Sequence, residues 1–365
     1  MGFNAGINIT TELEYAWALS IAKLANGNYF ATYVDYESDG VFVVSTDLIF
    51  RIIDADGVTL VGPTVISAEF YSGTDASNYR AIHLIANDEV MIIYNDGNDS
   101  NLVKRIIYDN AGNVSVAVAT IDAPNSQGML GAVALDNGNV FIVYSTAADT
   151  IKRIIYDNAG AVAVAAANVA TTRTFAPVTG LTKLKNGNVV ILYAKEVVAQ
   201  PTIGQFVIYD PEGDEVVAET DFSTILTGND PDVANGCTIP IADNNGKFVI
   251  LAGYFNNDNE LTQYTNAGII SAGPISVTTP DEWQLHSAAG WHSGNEYVIV
   301  AQSLAGELLQ MRYSVDDLTE VEAPTLMAEN PGDSDSGSHN VAVVPELNLM
   351  QSGRLMFLVS RYTAD

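Results

Sequence analysis

The chain has 365 residues, 48% of them hydrophobic, with 15 Lys+Arg against 44 Asp+Glu and a formal net charge of -29. Such a surface repels phosphate backbones and anionic headgroups, so nucleic acid and membrane insertion are excluded as expectations, while positive partners, neutral glycans and divalent cations stay open. A single cysteine, Cys237, excludes an internal disulfide, and no apolar run is long enough to cross a bilayer as a helix.

The first residues, MGFNAGINITTELEYAW, have neither the basic nor the apolar region of a signal peptide, and Gly6 stands where a myristoylation motif wants Ser or Thr. Within them Phe3–Thr11 alternates like a strand. Next comes LANGNYFATY at Leu24–Tyr33, a tight Asn/Gly turn leading into an apolar strand, and the same pattern returns along the chain. It reads IANDEVMIIY from Ile85, LDNGNVFIVY from Leu135, LKNGNVVILY from Leu184, DNNGKFVILA from Asp243, WHSGNEYVIV from Trp291 and LMQSGRLMFLV from Leu349. Anchored on Gly27, Asp88, Gly138, Gly187, Gly246, Gly294 and Gly353, the spacings are 61, 50, 49, 59, 48 and 59 residues. Seven anchors at such a period predict a repeat architecture.

Between anchors lies a second landmark. KRIIYDNAG occurs at Lys104–Gly112 and again, unchanged, at Lys152–Gly160. RIIYDNAGNVSVAV reads as two strands joined by a hairpin in which Gly112 supplies the positive φ of a tight turn. Each unit is therefore four antiparallel strands: one before NGN, one after it, one ending at YDNAG and one following. Seven such units predict an all-β, seven-bladed β-propeller occupying residues 1–365 as one domain, with blades starting near 18, 80, 130, 179, 235, 286 and 338. The last unit stops at Asp365 after one hairpin, so residues 1–16 are expected to supply the strand that closes the ring.

Finer positions fit that architecture. Seven residues before the anchors stand Ser20, Ala81, Gly131, Gly180 and Ser287, small enough for strands that converge on an axis. Three before stand Leu24, Ile85, Leu135, Leu184 and Trp291, expected to pack between blades. Six after stand Tyr33, Tyr94, Tyr144 and Tyr193, read as wedges between blades.

The NGN and DNAG turns are short, and they share one face. Chain length accumulates on the other, at Ser67–Tyr79, Glu196–Gly204, Asp221–Asn235, Thr278–His286 and Met327–His339, so binding is expected there. Tyr71, Tyr79, Asp230, Asp232, Trp283 and His286 are the candidate ligand-binding residues, aromatics in polar loops flanked by carboxylates suited to sugar hydroxyls. Oxygen-rich stretches near glycine raise calcium as a ligand: DADG (Asp54–Gly57), NDGNDSN (Asn95–Asn101), DPEGD (Asp210–Asp214) and GDSDSG (Gly332–Gly337). DADG and DPEGD sit where a hairpin wants Asp and Gly for its own geometry, which leaves Asp333 and Asp335 as the candidate metal ligands. No other cofactor is expected.

No catalytic residues are assigned. A GxSxG elbow is absent, and His83, His286, His292 and His339 stand at different repeat positions. Arg51, Arg105 and Arg153 would be needed as a converging carboxylate clamp, but their recurrence in step with the repeat reads as structural placement. A non-enzymatic protein is expected, with a glycan-active enzyme as a further alternative.

At KLANGNYFATY…RIIDADG and KLKNGNVVILY…VIYDPEGD the sequence resembles the degenerate propeller repeats of bacteriophage virion proteins and of large bacterial surface or secreted proteins. The resemblance covers nearly the whole chain and differs from WD-type propellers, since there is no GH…WD signature. It implies a binding or structural propeller in a virion, as a tail, nozzle or decoration component made in the host cytoplasm. The implied partners are other virion or surface proteins and host glycans. The alternative is an extracellular or cell-surface carbohydrate-binding or adhesive module of a bacterium.

Overall fold

The computed structural model describes residues 16–38, 43–68, 79–96, 99, 102–122, 126–146, 150–170, 178–195, 203–222, 239–252, 259–277, 285–303, 308–328, 341–342 and 358–359. The elements are strands, in sheets that follow chain order. The first sheet is β1 (Ala16–Lys23), β2 (Tyr29–Ser38), β3 (Val43–Ile53) and β4 (Thr59–Ser67). The second is β5 (Tyr79–Leu84), β6 (Glu89–Asp96), β7 (Leu102–Tyr108) and β8 (Val114–Thr120), and the third is β9 (Ser126–Ala134), β10 (Val140–Thr146), β11 (Ile151–Tyr156) and β12 (Val162–Ala170). The fourth is β13 (Val178–Lys183), β14 (Val189–Lys195), β15 (Ile203–Tyr209) and β16 (Glu215–Asp221). The fifth is β17 (Ile239–Ala242), β18 (Lys247–Ala252), β19 (Glu260–Thr265) and β20 (Ile270–Ser276). The sixth is β21 (Leu285–Ser293), β22 (Glu296–Ser303), β23 (Leu308–Ser314) and β24 (Glu320–Ala328), and β25 (Val341–Ala342) pairs with β26 (Leu358–Val359).

The all-β class and the four-stranded antiparallel unit are as expected, and seven full blades find no support. Six four-stranded sheets, not seven, are present among the described residues, with a two-stranded pair where the seventh was expected. β25 lies against β21 as β21 lies against β17. The closing strand expected at Phe3–Thr11 falls outside the described residues.

Burial explains the sequence pattern of each sheet. In β6, β10 and β18 the run of β-branched and aromatic residues is buried on both faces, because these second strands are sandwiched between neighbours. The outermost strands β4, β8, β16 and β20 are largely exposed, and bulges interrupt their pairing to the third strand in each sheet. Those bulges twist an edge that would otherwise invite pairing with another chain.

The chain forms two compact units. One holds the first two sheets with the turn Asn158–Gly160, and the other holds, from Leu130 on, the remaining sheets. In the first, Ser20 Oγ on β1 accepts a hydrogen bond from Ala81 N on β5 at 3.0 Å, and Phe30, Phe50 and Tyr108 stack in the core. In the second, small residues let the innermost strands touch: a Cβ added to Gly180 would stand 2.3 Å from Pro240 Cδ, and one added to Gly131 would stand 3.3 Å from Leu181 Cβ. The expected small positions are thus explained by the adjoining inner strand. The tyrosine wedges Tyr33, Tyr94, Tyr144 and Tyr193 are all buried.

Two repeat positions are corrected. Ile85 is 60% exposed, and Leu84 takes the buried place of Leu24. The register gives the reason: His83 pairs with Val90 where Lys23 pairs with Tyr29, so the second sheet's first turn is one residue longer. Arg51 does not share the position of Arg105 and Arg153. It stands three residues before its turn aspartate, they stand four before theirs, and Phe50 and Phe206 fill that place in the first and fourth sheets.

Candidate functional site

Every sheet has a turn end, where its first and last pairs of strands are joined, and a loop end, where the second strand passes to the third and the fourth leaves. At the turn end the geometry is regular. Gly27 N donates to Leu24 O at 3.0 Å, Leu24 N donates to Asn28 O at 2.8 Å, and Asn26 Oδ1 accepts from Asn28 N at 2.9 Å. Gly187 does the same in the fourth sheet with φ of 88°, a left-handed value that a Cβ would penalise. In the second turn of the first four sheets an aspartate caps the main chain, and Thr265 and Ser314 stand in its place in the fifth and sixth. Asp109 Oδ1 accepts from Ala111 N at 3.0 Å and Asn113 N at 2.8 Å, Asp54 Oδ1 from Asp56 N and Val58 N, and Asp210 Oδ1 from Asp214 N. DADG and DPEGD therefore spend these aspartates on turns, as expected.

The turn end also holds a buried polar network. Tyr297 Oη donates to Asp243 Oδ2 at 2.8 Å, and Gln263 Nε2 donates to Tyr297 Oη and to Val315 O. Lys247 Nζ and Ser271 Oγ both donate to Gln263 Oε1. Asp243 is 3% exposed, and burial, then the hydrogen bond to Asp243 and its charge, drive the Tyr297 phenol pKa upward. Every member has a partner, so this network stiffens the fifth and sixth sheets. In the other unit His83 Nε2 lies 2.9 Å from Asp88 Oδ1, which also accepts from Ala25 N, while Asn110 Nδ2 donates to Asp88 Oδ2. Burial opposes ionisation of Asp88, yet these hydrogen bonds outweigh it and hold the carboxyl below its ordinary range.

Binding residues are expected at the loop end. Tyr71, Asp230, Asp232, Trp283, Asp333 and Asp335 lie outside the described residues. His286 is the second residue of β21. Tyr79 requires a correction. It opens β5 rather than ending a loop, pairs with Tyr94, and its ring is 1% exposed with Oη donating to Thr32 O at 3.4 Å. Burial drives the Tyr79 phenol pKa upward, and the side chain belongs to the core.

What the loop end does show is a charged triad. Lys104 Nζ on β7 lies 2.6 Å from Asp96 Oδ2 at the end of β6 and 2.9 Å from Asp99 Oδ2 in the connection. Burial disfavours the ammonium, but the two carboxylates more than compensate and raise its pKa. Asp96 and Asp99 of NDGNDSN are thus both engaged by an ammonium. Desolvation, then the Asp96 charge, pushes the neighbouring Tyr94 phenol up to about 12. In the fourth sheet Gln205 Nε2 donates to Asp221 Oδ1 at 2.8 Å. Among the described residues no group of three metal-ligating side chains converges. Nothing in the sequence singled out Lys104, because a lysine opposite a tyrosine in a strand carries no motif.

No protein-family model matches the chain, and no curated protein matches it in sequence. Solved structures do. A lectin from Burkholderia pseudomallei is similar over 91% of this chain and 89% of its own, with a TM-score of 0.61 and 11% identity. An ulvan lyase, a polysaccharide lyase, is similar over 92% and 91% with a TM-score of 0.59 and 11% identity. The β-propeller domain of the trilobed protease of Pyrococcus furiosus is similar over 90% and 88%, with a TM-score of 0.53 and 8% identity. These likenesses show the fold: the chain is a β-propeller.

Proposed function

We propose that this chain is a carbohydrate-binding propeller whose ligand is held at the loop end of the sheets. The observation that carries the reading is the uneven allotment of chain. Turns at one end are closed by main-chain hydrogen bonds, while at the other the connections run to residues 68–78, 222–238 and 329–340. At the turn end Asn26, Asp54 and Asp109 cap the turns themselves, whereas the sequence of the loop connections carries Tyr71, Asp230, Asp232 and Trp283. An aromatic platform with flanking carboxylates is the chemistry that recognises a sugar's apolar face and hydroxyls. The fold shared with a lectin and a polysaccharide lyase supports this module over the virion role, which draws no support from these likenesses.

A glycan array on the purified chain tests the reading, followed by Tyr71→Ala and Trp283→Ala together. The double variant is expected to lose at least about tenfold in affinity, roughly the loss of one stacking contact of 1–2 kcal/mol, with little change in melting temperature. Absence of any glycan ligand, or full binding by the double variant, overturns it. Cleavage of a bound polysaccharide would move the protein to the enzyme class.

A further inference from the structure

Four Asn–Gly pairs lie among the described residues: Asn26–Gly27, Asn137–Gly138, Asn186–Gly187 and Asn245–Gly246. An asparagine followed by glycine is prone to attack of the glycine's main-chain nitrogen on the asparagine's own side-chain carbon, since no Cβ shields that nitrogen. Three of the four pairs are held against it. Gly27 N, Gly138 N and Gly187 N donate to Leu24 O, Leu135 O and Leu184 O at 3.0, 3.0 and 2.9 Å. Asn26, Asn137 and Asn186 each fix their side chain by accepting, through Oδ1, the amide of the residue two further on, at 2.9, 3.0 and 3.2 Å. Both reacting groups must leave a hydrogen bond before they can meet.

The fifth sheet breaks the pattern at one residue. Asp243 stands where the first, third and fourth sheets have Leu24, Leu135 and Leu184, and its Oδ1 accepts from Asn245 N at 2.7 Å and Lys247 N at 2.9 Å. The Lys247 amide, which would otherwise cap the Asn245 side chain, is taken. Gly246 N makes no turn hydrogen bond to Asp243 O, although Asp243 N still donates to Lys247 O at 2.9 Å. Asn245 is exposed, and neither its side-chain amide nor the Gly246 nitrogen is held.

We propose that Asn245 is a self-modification site of the folded chain, where the side-chain amide is lost spontaneously. The Gly246 nitrogen gives its proton to solvent and bonds to Cγ of Asn245. The Cγ–Nδ2 bond breaks, and the nitrogen leaves as ammonia with a proton returned from solvent. Water then opens the resulting succinimide at either carbonyl, leaving an aspartate or an isoaspartate. One water is consumed, one ammonia is released, and nothing is oxidised or reduced. The product adds a carboxylate beside Asp243, at the mouth of the buried Tyr297–Gln263 network.

Peptide mapping by mass spectrometry tests this on the full folded chain held in mildly alkaline buffer. The peptide with Asn245 is expected to gain about one mass unit roughly tenfold faster than those with Asn26, Asn137 and Asn186, the scale of opening a turn hydrogen bond first. In strong urea the four rates should converge, because every pair has glycine next. Asn245→Gln should abolish the gain in its own peptide and leave the others unchanged. The proposal is overturned if folded Asn245 is no faster than the other three. It is equally overturned if its lead persists in urea, or if the gain survives in the Gln variant and so belongs to Asn244.

Discussion

One slot in this molecule is filled in two chemically opposite ways. Four residues before the turn residue of their own sheets stand Phe50, Arg105, Arg153 and Phe206, and each covers the turn glycine of the sheet that follows in sequence. Cβ atoms built on Gly112 and Gly268 would lie 3.4 and 3.3 Å from the rings of Phe50 and Phe206. On Gly160 and Gly213 they would lie 2.8 Å from the guanidinium groups of Arg105 and Arg153. The slot therefore selects a flat group that lies over a bare backbone, and it is indifferent to polarity. A guanidinium qualifies because it is planar and stacks, as Arg153 does over Tyr209 at 5.3 Å. The arginines fit more tightly but less completely, for Arg153 Nε and Nη1 find no hydrogen-bond partner.

The largest effect should come from emptying an aromatic slot. Phe206→Ala removes a ring packed edge-on against Phe248 and Tyr264, and about 3–5 kcal/mol of stability is expected to go with it. A loss below about 1 kcal/mol in urea denaturation would show that the ring does not organise the interface. Next come the glycines, which separate the two fillings. Gly213→Ala combines a left-handed φ of 86° with the 2.8 Å approach of Arg153 and should cost about 2–4 kcal/mol. Gly112→Ala has a similar φ of 85° but contacts of 3.2 Å or more, and should cost about 1–2 kcal/mol. Equal losses at the two sites would mean that backbone strain alone decides and the slot's occupant is irrelevant. The smallest effect is the most discriminating. Arg153→Phe should leave stability within about 1 kcal/mol of the parent, or raise it, since it exchanges unpaired buried donors for a ring the slot already accepts elsewhere. A loss of several kcal/mol would show that the guanidinium is there for its charge.

Particular residues show how far the sequence could be read. The NGN and DNAG turns were legible because left-handed glycines and capping aspartates act within five residues of one another. Gly27, Gly112, Gly138, Gly160, Gly187 and Gly213 all have positive φ as such turns require. Ile85 was misplaced by one residue, since an extra turn residue is invisible when a leucine and an isoleucine stand side by side. In the sequence Tyr79 looks like a loop aromatic because its burial comes from β6 and from Thr32, far away in the chain. Arg51 resembles Arg105 and Arg153 in sequence but points elsewhere, its Nε donating to Tyr33 Oη at 2.7 Å. A shift of one residue in a strand reverses the face, and residue type alone does not record it. Of the candidate site, the loops were legible by length and composition alone, and the Lys104 bridge to Asp96 and Asp99 was not legible at all.

By itself the sequence determined the four-stranded repeat, the turns and the acidic surface, because each follows from short-range backbone geometry or from composition. The tertiary structure alone decided which apolar residue fills each wedge, that arginine and phenylalanine are equivalent beneath a turn, and that Asp243 leaves Asn245 unguarded. Those outcomes depend on groups brought together from different sheets, where contact distances of a few tenths of an ångström decide what fits, and no local pattern encodes such distances.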